Sequence, residues 1–314
     1  MKDAPTSVND VRVAVICALV HEGDAVEKFF NQKWKPQDLP FLQGKTSARN
    51  LILGRIEHHF VVLAWLHRKG KGGATSTATI LDDIFPDIKL VLVVGVCGGM
   101  PPHPKQKAEI QFGDVIISEG IIPYDEGKWE EKGYLNDKEL LHQHWKIGGL
   151  IKRLSSKNGC KELRESALRH LQAKPPDAQD RASESEQTRK PNVHFGYVAS
   201  GDTVIKWEEF RNEIVNRGRY KPIAFEMEAA GAETVFSNLV VVIKGVCDYA
   251  DKEKNKAWQP YAASAGAAYM RAFLDEWQPS SVQTAVQDIA GGGIAKAGEG
   301  IAKATGGIMK GSKS

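Results

Sequence analysis

From residue 11 onward, short runs of β-branched and other apolar residues alternate with segments in which small and apolar side chains recur at helical spacing. The first pattern suits strands buried on both faces, and the second suits helices lying on them. The runs predict strands at 11–18, 60–65, 90–96, 114–122, 193–200, 222–225 and 239–246. The segments between them predict helices at 24–30, 74–84, 138–154, 207–216, 228–237 and 261–277. Such alternation predicts an α/β fold: a single three-layer domain, spanning 8–278, with a central, mostly parallel twisted sheet flanked by helices.

Two stretches break the pattern. Residues 173–192 are polar and aperiodic, which predicts an exposed insertion that interrupts the domain without ending it. After Trp277-Gln278-Pro279 the chain turns Gly-rich, and the units beginning at Gly293, Gly300 and Gly307 repeat Gly-Ile-(Ala/Met)-Lys every seven residues. On a helix the isoleucines would form one narrow stripe and the lysines another. Each glycine costs a helix about 1 kcal/mol relative to alanine, so the tail 279–314 is expected to be flexible alone. It would become helical only against another helix or a membrane surface; a solvated low-complexity tail is the alternative.

The 314 residues carry a formal net charge of +3 with mixed signs, too small an excess to argue for nucleic acid or an anionic membrane. Cys17, Cys97, Cys160 and Cys247 form no close metal-type pair and read as reduced thiols. The N-terminal residues show no apolar signal region, so the expected compartment is the cytoplasm. Gly70-Lys71-Gly72-Gly73-Ala74-Thr75 lacks the spacing of a nucleotide-binding P-loop, and His142 and His144 sit two apart on a predicted helix and point different ways. Neither metal nor organic cofactor is implied.

Chemistry concentrates at the carboxyl ends of the strands, where ligands bind in α/β sheets. The first strand runs into Ala18-Leu19-Val20-His21-Glu22 and the third into Gly95-Val96-Cys97-Gly98-Gly99. The 193–200 strand leads to Gly201-Asp202, the next to Glu226-Met227-Glu228, and the last to Asp248. A carboxylate there is costly to desolvate, so each is a candidate site residue, with a helix N-cap as the alternative.

The order of these motifs carries a resemblance. Ala18-Leu19-x-x-Glu22, Val93-Val94-Gly95-Val96-Cys97-Gly98-Gly99, Phe112-Gly113-Asp114-Val115, Ala199-Ser200-Gly201-Asp202, Phe225-Glu226-Met227-Glu228-Ala229 and Gly245-Val246-Cys247-Asp248-Tyr249-Ala250-Asp251 resemble the nucleoside phosphorylase and nucleosidase superfamily. The likeness is closest to the phosphorylase-like domains of fungal NLR-type proteins and covers about 11–275. It implies cleavage of the N-glycosidic bond of a purine nucleoside or nucleotide, with Asp248 as general acid at the base and Glu22 activating water. It places Glu228 on the ribose hydroxyls, Met227 beneath the sugar, and Glu226 as an orienting or sugar-binding group. Asp202, Phe225, Cys97 and Gly98 would complete the substrate pocket.

Phosphorolytic relatives need an arginine and a serine for phosphate, and 92–96 has neither, so water is the expected nucleophile. Phosphorolysis and a non-catalytic nucleoside-sensing or assembly module are the alternatives. Val204 stands where several relatives carry a stacking aromatic, leaving Phe225, Tyr249 or Trp258 to supply one. The turn from His67 to Gly73 could hold a 5′ anion through its cations and helix-start amides. Relatives are homo-oligomers, and the same is expected here.

Overall fold

The computed structural model describes residues 4–101, 109–131, 133–135, 140–173, 190–217, 219–253 and 256–279. Nine strands form the main sheet: β1 (Val13–Cys17), β2 (Gln32–Trp34), β3 (Leu51–Ile56), β4 (His59–Trp65), β5 (Leu90–Gly99), β6 (Val115–Pro123), β9 (Val193–Ser200), β10 (Pro222–Glu226) and β11 (Val240–Asp248). β7 (Lys128–Glu130) and β8 (Gly133–Leu135) make a separate two-stranded ladder. The main order is β10-β9-β6-β11-β5-β1-β4-β3-β2. Its centre, β4-β1-β5-β11, is parallel. Antiparallel pairs flank that centre: β2, β3 and β4 on one side, and β11 with β6 on the other.

Seven helices accompany these strands among the described residues: α1 (Val20–Glu27), α2 (Lys71–Ile84), α3 (Trp145–Leu154), α4 (Lys157–Ala173), α5 (Glu208–Arg217), α6 (Ala229–Glu233) and α7 (Gln259–Glu276). Alternation along the central strands builds two cores. Val13, Val15, Leu90, Leu92, Val94, Val241 and Ile243 face α1, α3, α4 and α7. Ala14, Ile16, Val91, Val93, Val240 and Val242 face α2 and α6 on the other side. Strands buried on both faces need no polar alternation, which is why they read as continuous apolar runs. At Gly245 a Cβ would overlap the Ala262 backbone, so the missing side chain lets α7 lie directly on β11.

The sheet also closes on itself over part of its width. The end of β5 pairs antiparallel with β10, Gly98 opposite Phe225 and Gly99 opposite Ala224, joining β5, β11, β6, β9 and β10 into a ring. The strand-end chemistry is thereby gathered around one opening.

Several expectations need correcting. Helix α1 starts at Val20 rather than 24, because the Glu22 carboxylate accepts the backbone N–H groups of Ala18 and Leu19 and fixes the turn there. Helix α6 ends at Glu233 rather than 237. The Glu233 carboxylate accepts the amide of Asn238, a non-glycine residue at φ +66°. The segment predicted as one helix over 138–154 is helical only from Trp145, with His144 as N-cap; residues 136–139 lie outside the described residues. Strands β2 and β3 and helix α4 escaped prediction. α4 is strongly polar and buries only a thin stripe of Gly159, Leu163, Ala167 and Leu171. Most of the insertion, 174–189, and the tail from 280 lie outside the described residues. At the insertion's end Pro191 is buried, and its carbonyl accepts the Tyr269 hydroxyl at 3.0 Å and Arg164 Nε at 3.0 Å.

Candidate active site

A cavity of about 340 Å³ opens at the carboxyl ends of the strands. That size suits a small-molecule ligand. Eight of the nine residues singled out in the sequence line it: Glu22, Cys97, Gly98, Phe225, Glu226, Met227, Glu228 and Asp248. Asp202 does not. Its Oδ1 accepts the Lys71 amide at 2.6 Å, capping the start of α2, and its own amide donates to Asp125 Oδ2 at 2.8 Å. The neighbouring wall is made instead by Thr203, Val204, Ile205 and Lys206.

Glu22 is delivered by the first turn of α1. Oε2 accepts Ala18 N and Leu19 N, each at 2.8 Å, and Oε1 accepts Val96 N at 2.8 Å from β5. This approach is close: a Cβ at Gly95 would overlap the carboxylate. Burial raises the Glu22 pKa above the ordinary glutamate value, Lys244 opposes that shift, and Glu228 adds to it.

Glu226 and Glu228 follow β10. The Glu226 carboxylate accepts Glu228 N at 3.0 Å and Ala229 N at 3.1 Å, so it caps α6, the role the sequence left open as the alternative. Glu228 Oε1 accepts Gly70 N at 3.3 Å, and Oε2 lies 2.6 Å from Lys244 Nζ. Lys244 Nζ is also 3.1 Å from Glu226 Oε2.

Lys244 is a residue of the candidate site that sequence reasoning missed. It sits in β11 and is only 2% exposed. Burial would lower its pKa, but Glu228, Glu226 and Glu22 reverse this and hold the ammonium well above the usual lysine range. Burial likewise works to raise Glu228, and Lys244 outweighs it, leaving that carboxyl below the usual range. A single ammonium thus lies among three acids that line the cavity.

Asp248 ends β11 at 7% exposure. Its Oδ1 accepts Ala250 N at 2.8 Å, and the Cys247 thiol lies 3.5 Å from Oδ2. Cys97 and Cys247 are buried thiols, and burial pushes the Cys97 thiol far above its ordinary value, which makes it an inert wall.

Among the aromatic candidates only Phe225 reaches the cavity, with Tyr124 edge-on to it at 6.4 Å and 75°. Tyr124, also unforeseen, lines the cavity and donates its hydroxyl to Thr203 O at 2.9 Å. Tyr249 and Trp258 pack on Phe112 instead, at 4.4 and 5.7 Å. In the basic turn Lys71 pairs with Asp125 at 2.6 Å and Glu126 at 3.3 Å, and its amide is taken by Asp202. Only Lys69 of that turn lines the cavity. No group of three or more His, Cys, Asp and Glu suited to a metal occurs among the described residues, nor does any helix long and apolar enough to cross a membrane.

The arrangement resembles known proteins at three levels. Residues 12–275 match the family described as the Phosphorylase superfamily. The chain is 28% identical over 309 residues to a nucleotide-binding leucine-rich repeat (NLR)-like protein of Hyaloscypha variabilis, covering 86% of this chain and 30% of that protein. It thus spans less than a third of that relative's length. It is also 23% identical over 279 residues to the 5'-methylthioadenosine/S-adenosylhomocysteine nucleosidase of Mycobacterium bovis, covering 84% and 96% respectively. In three dimensions it superposes on the corresponding nucleosidase of Neisseria meningitidis, solved with methylthio-immucillin-A, with a TM-score of 0.59 at 18% identity, covering 87% of this chain and 100% of that one. Futalosine hydrolase of Helicobacter pylori gives 0.58 at 17% identity, covering 85% and 99%. At these identities the structural likeness concerns the fold.

Proposed function

Given that the chain belongs to the Phosphorylase superfamily, we propose that it hydrolyses the N-glycosidic bond of a purine nucleoside, releasing free base and ribose. The observation that carries this reading is the convergence of Glu22, Glu228 and Asp248, from three distant parts of the sequence, on one cavity of about 340 Å³.

The leaving purine takes the electron pair of the breaking C1′–N9 bond and needs a proton at N7, which Asp248 supplies as general acid. Positive charge developing on the ribose is stabilised by Glu228, which Lys244 keeps ionised and which accepts from the 2′ and 3′ hydroxyls. Met227 lies against the sugar. Water adds to C1′ and gives its proton to Glu22, whose raised pKa suits a base. Phe225 and Tyr124 offer the purine an aromatic wall. A positioned acid is worth about 10²–10⁴ in rate. Hydrolysis is favoured over phosphorolysis because Leu92, Val93 and Val94 offer phosphate neither cation nor hydroxyl, and because the mycobacterial relative of similar length is a nucleosidase by name.

One observation favours a broader substrate. Lys69, Lys206 and Lys256 line the cavity with exposed side chains and have no ion-pair partner among the described residues. Lys69 precedes Gly70, whose amide touches Glu228, and so stands at the sugar end of the cavity. A 5′-phosphorylated nucleoside would be accommodated there.

The test incubates a panel of purine nucleosides and nucleotides with and without phosphate, using parent and Asp248→Asn protein. Free base with ribose, and little release by the variant, is expected. Ribose 1-phosphate would replace hydrolysis with phosphorolysis, and undiminished release by the variant would remove Asp248 from the chemistry.

A further inference from the structure

Outside the cavity, the largest wholly buried side chain among the described residues is Arg211 on α5, at 1% exposure. Its guanidinium reaches the segment that follows β11. Nη1 donates to the Tyr249 carbonyl at 2.8 Å and lies 3.7 Å from Asp251 Oδ2, while Nη2 meets Glu208 Oε1 at 3.2 Å. Nε and Nη2 also bond Asn212 Oδ1, at 3.3 and 3.2 Å. Between the two gripped residues stands Ala250, buried, with φ +53°, a left-handed conformation that a Cβ-bearing residue adopts only under constraint. The Ala250 amide, which shares one planar peptide unit with the Tyr249 carbonyl, donates to Asp248 Oδ1 at 2.8 Å. Burying a guanidinium is expensive unless its donors are used; here Asn212 and Glu208 take Nε and Nη2, while Nη1 holds the Tyr249 carbonyl immediately beyond Asp248.

We propose that Arg211 is a positioning residue: by holding the Tyr249 carbonyl, with Asp251 beside it, it fixes the peptide unit between Tyr249 and Ala250, and the Ala250 amide of that unit in turn sets the direction of the Asp248 carboxyl. Because α5 continues from the cavity wall 203–206, the same side chain ties that wall to the Asp248 loop. The proposal rests on Asp248 being the acid only for its catalytic consequence. The structural part stands on Arg211 and Ala250 alone.

Arg211→Lys keeps a cation facing Asp251 and Glu208 but loses the planar fork. Hydrogen exchange over the peptide spanning 248–252 should quicken by about tenfold or more while α5 stays protected. On whichever nucleoside the parent cleaves, kcat should fall by about 10- to 100-fold with KM within about threefold, and the alkaline limb of the kcat profile should shift. Unchanged exchange over 248–252 overturns the proposal, as does a loss confined to KM. Should Arg211→Lys fail to fold, Asp251→Asn, which alters a half-buried carboxylate, should give the same pattern at about threefold size, and no change in exchange would overturn the idea. If Asp248→Asn instead cleaves as fast as the parent, the assignment of the acid falls, while the exchange experiment still decides whether Arg211 holds the turn.

Discussion

Replacing Lys244 by methionine removes the one ammonium that serves Glu22, Glu226 and Glu228 while roughly preserving volume. With Nζ 2.6 Å from Glu228 and 3.1 Å from Glu226, all three groups being buried, the remaining carboxylates lose their counterion without gaining water. Breaking such a pair costs about 3–5 kcal/mol. For a domain of this size that is a fall in melting temperature of roughly 6–20 °C at pH 8. The penalty should depend on pH with a definite sign. In the parent, Lys244 holds the Glu228 pKa below its unfolded value, so that carboxylate contributes stability above the unfolded pKa and loses it as pH falls through the folded one. In the variant the acids bind protons more readily folded than unfolded, so mild acid relieves the penalty, by about 1.4 kcal/mol for each unit by which a carboxyl's pKa has risen above the working pH. Urea denaturation of Lys244→Met and parent at pH 5 and pH 8 measures both effects. Equal stability at pH 8, or an identical loss at the two pH values, would refute the view of Lys244 as counterion to the acid cluster.

Gly95→Ala places a methyl where the Glu22 carboxylate lies, so the bond to Val96 N should break and turnover should drop by about 10²-fold or more, the weight of a catalytic base. Kinetics within threefold of the parent would contradict the placement of Glu22. Glu233 is buried, with its pKa pushed up to about 7, so the folded chain loses stability as pH rises from the unfolded value near 4.5 and levels off above 7. The full loss approaches about 3 kcal/mol, and Glu233→Gln should flatten it and outlast the parent in urea at pH 8; parallel pH curves for the two proteins would be the contrary result. Removing 280–314 should leave base release intact if the catalytic unit is 8–278, while the mass in solution reports whether the repeat drives assembly; lost turnover at unchanged mass would contradict this division.

Asp248 and Glu228 were legible because each breaks an apolar pattern at a strand end, where neither propensity nor packing asks for a carboxylate. Lys244 broke the same pattern from inside the run Val240 to Val246, and was passed over because one cation among seven residues leaves the strand reading intact. Its signal was present nonetheless: a lone ammonium two residues after Val242 in a strand buried on both faces must have acids nearby. Asp202 was misplaced because motif order says which turn a residue occupies, not where its carboxylate points, and the unsatisfied amides at the start of α2 compete for it. Strand β3 escaped because Gly54 and Arg55 interrupt its apolar residues. The strand ring was unreadable because the pairing of Gly98 with Phe225 depends on sheet twist and on register shifts in β11 and β10, none of which leaves a mark in composition.

The seam between β5 and β10 also bears on how the protein is made. Glu22 leaves the ribosome early, Glu228 and Asp248 late, and the hydrogen bonds that join Gly98 to Phe225 cannot form until most of the chain has been synthesised. A nascent or prematurely terminated product that stops before β10 would present Glu22 alone, with no partner acid across the gap. A cavity that holds Glu22, Glu228 and Asp248 together therefore arrives with the final strand and is withheld from every translation product that stops short of it.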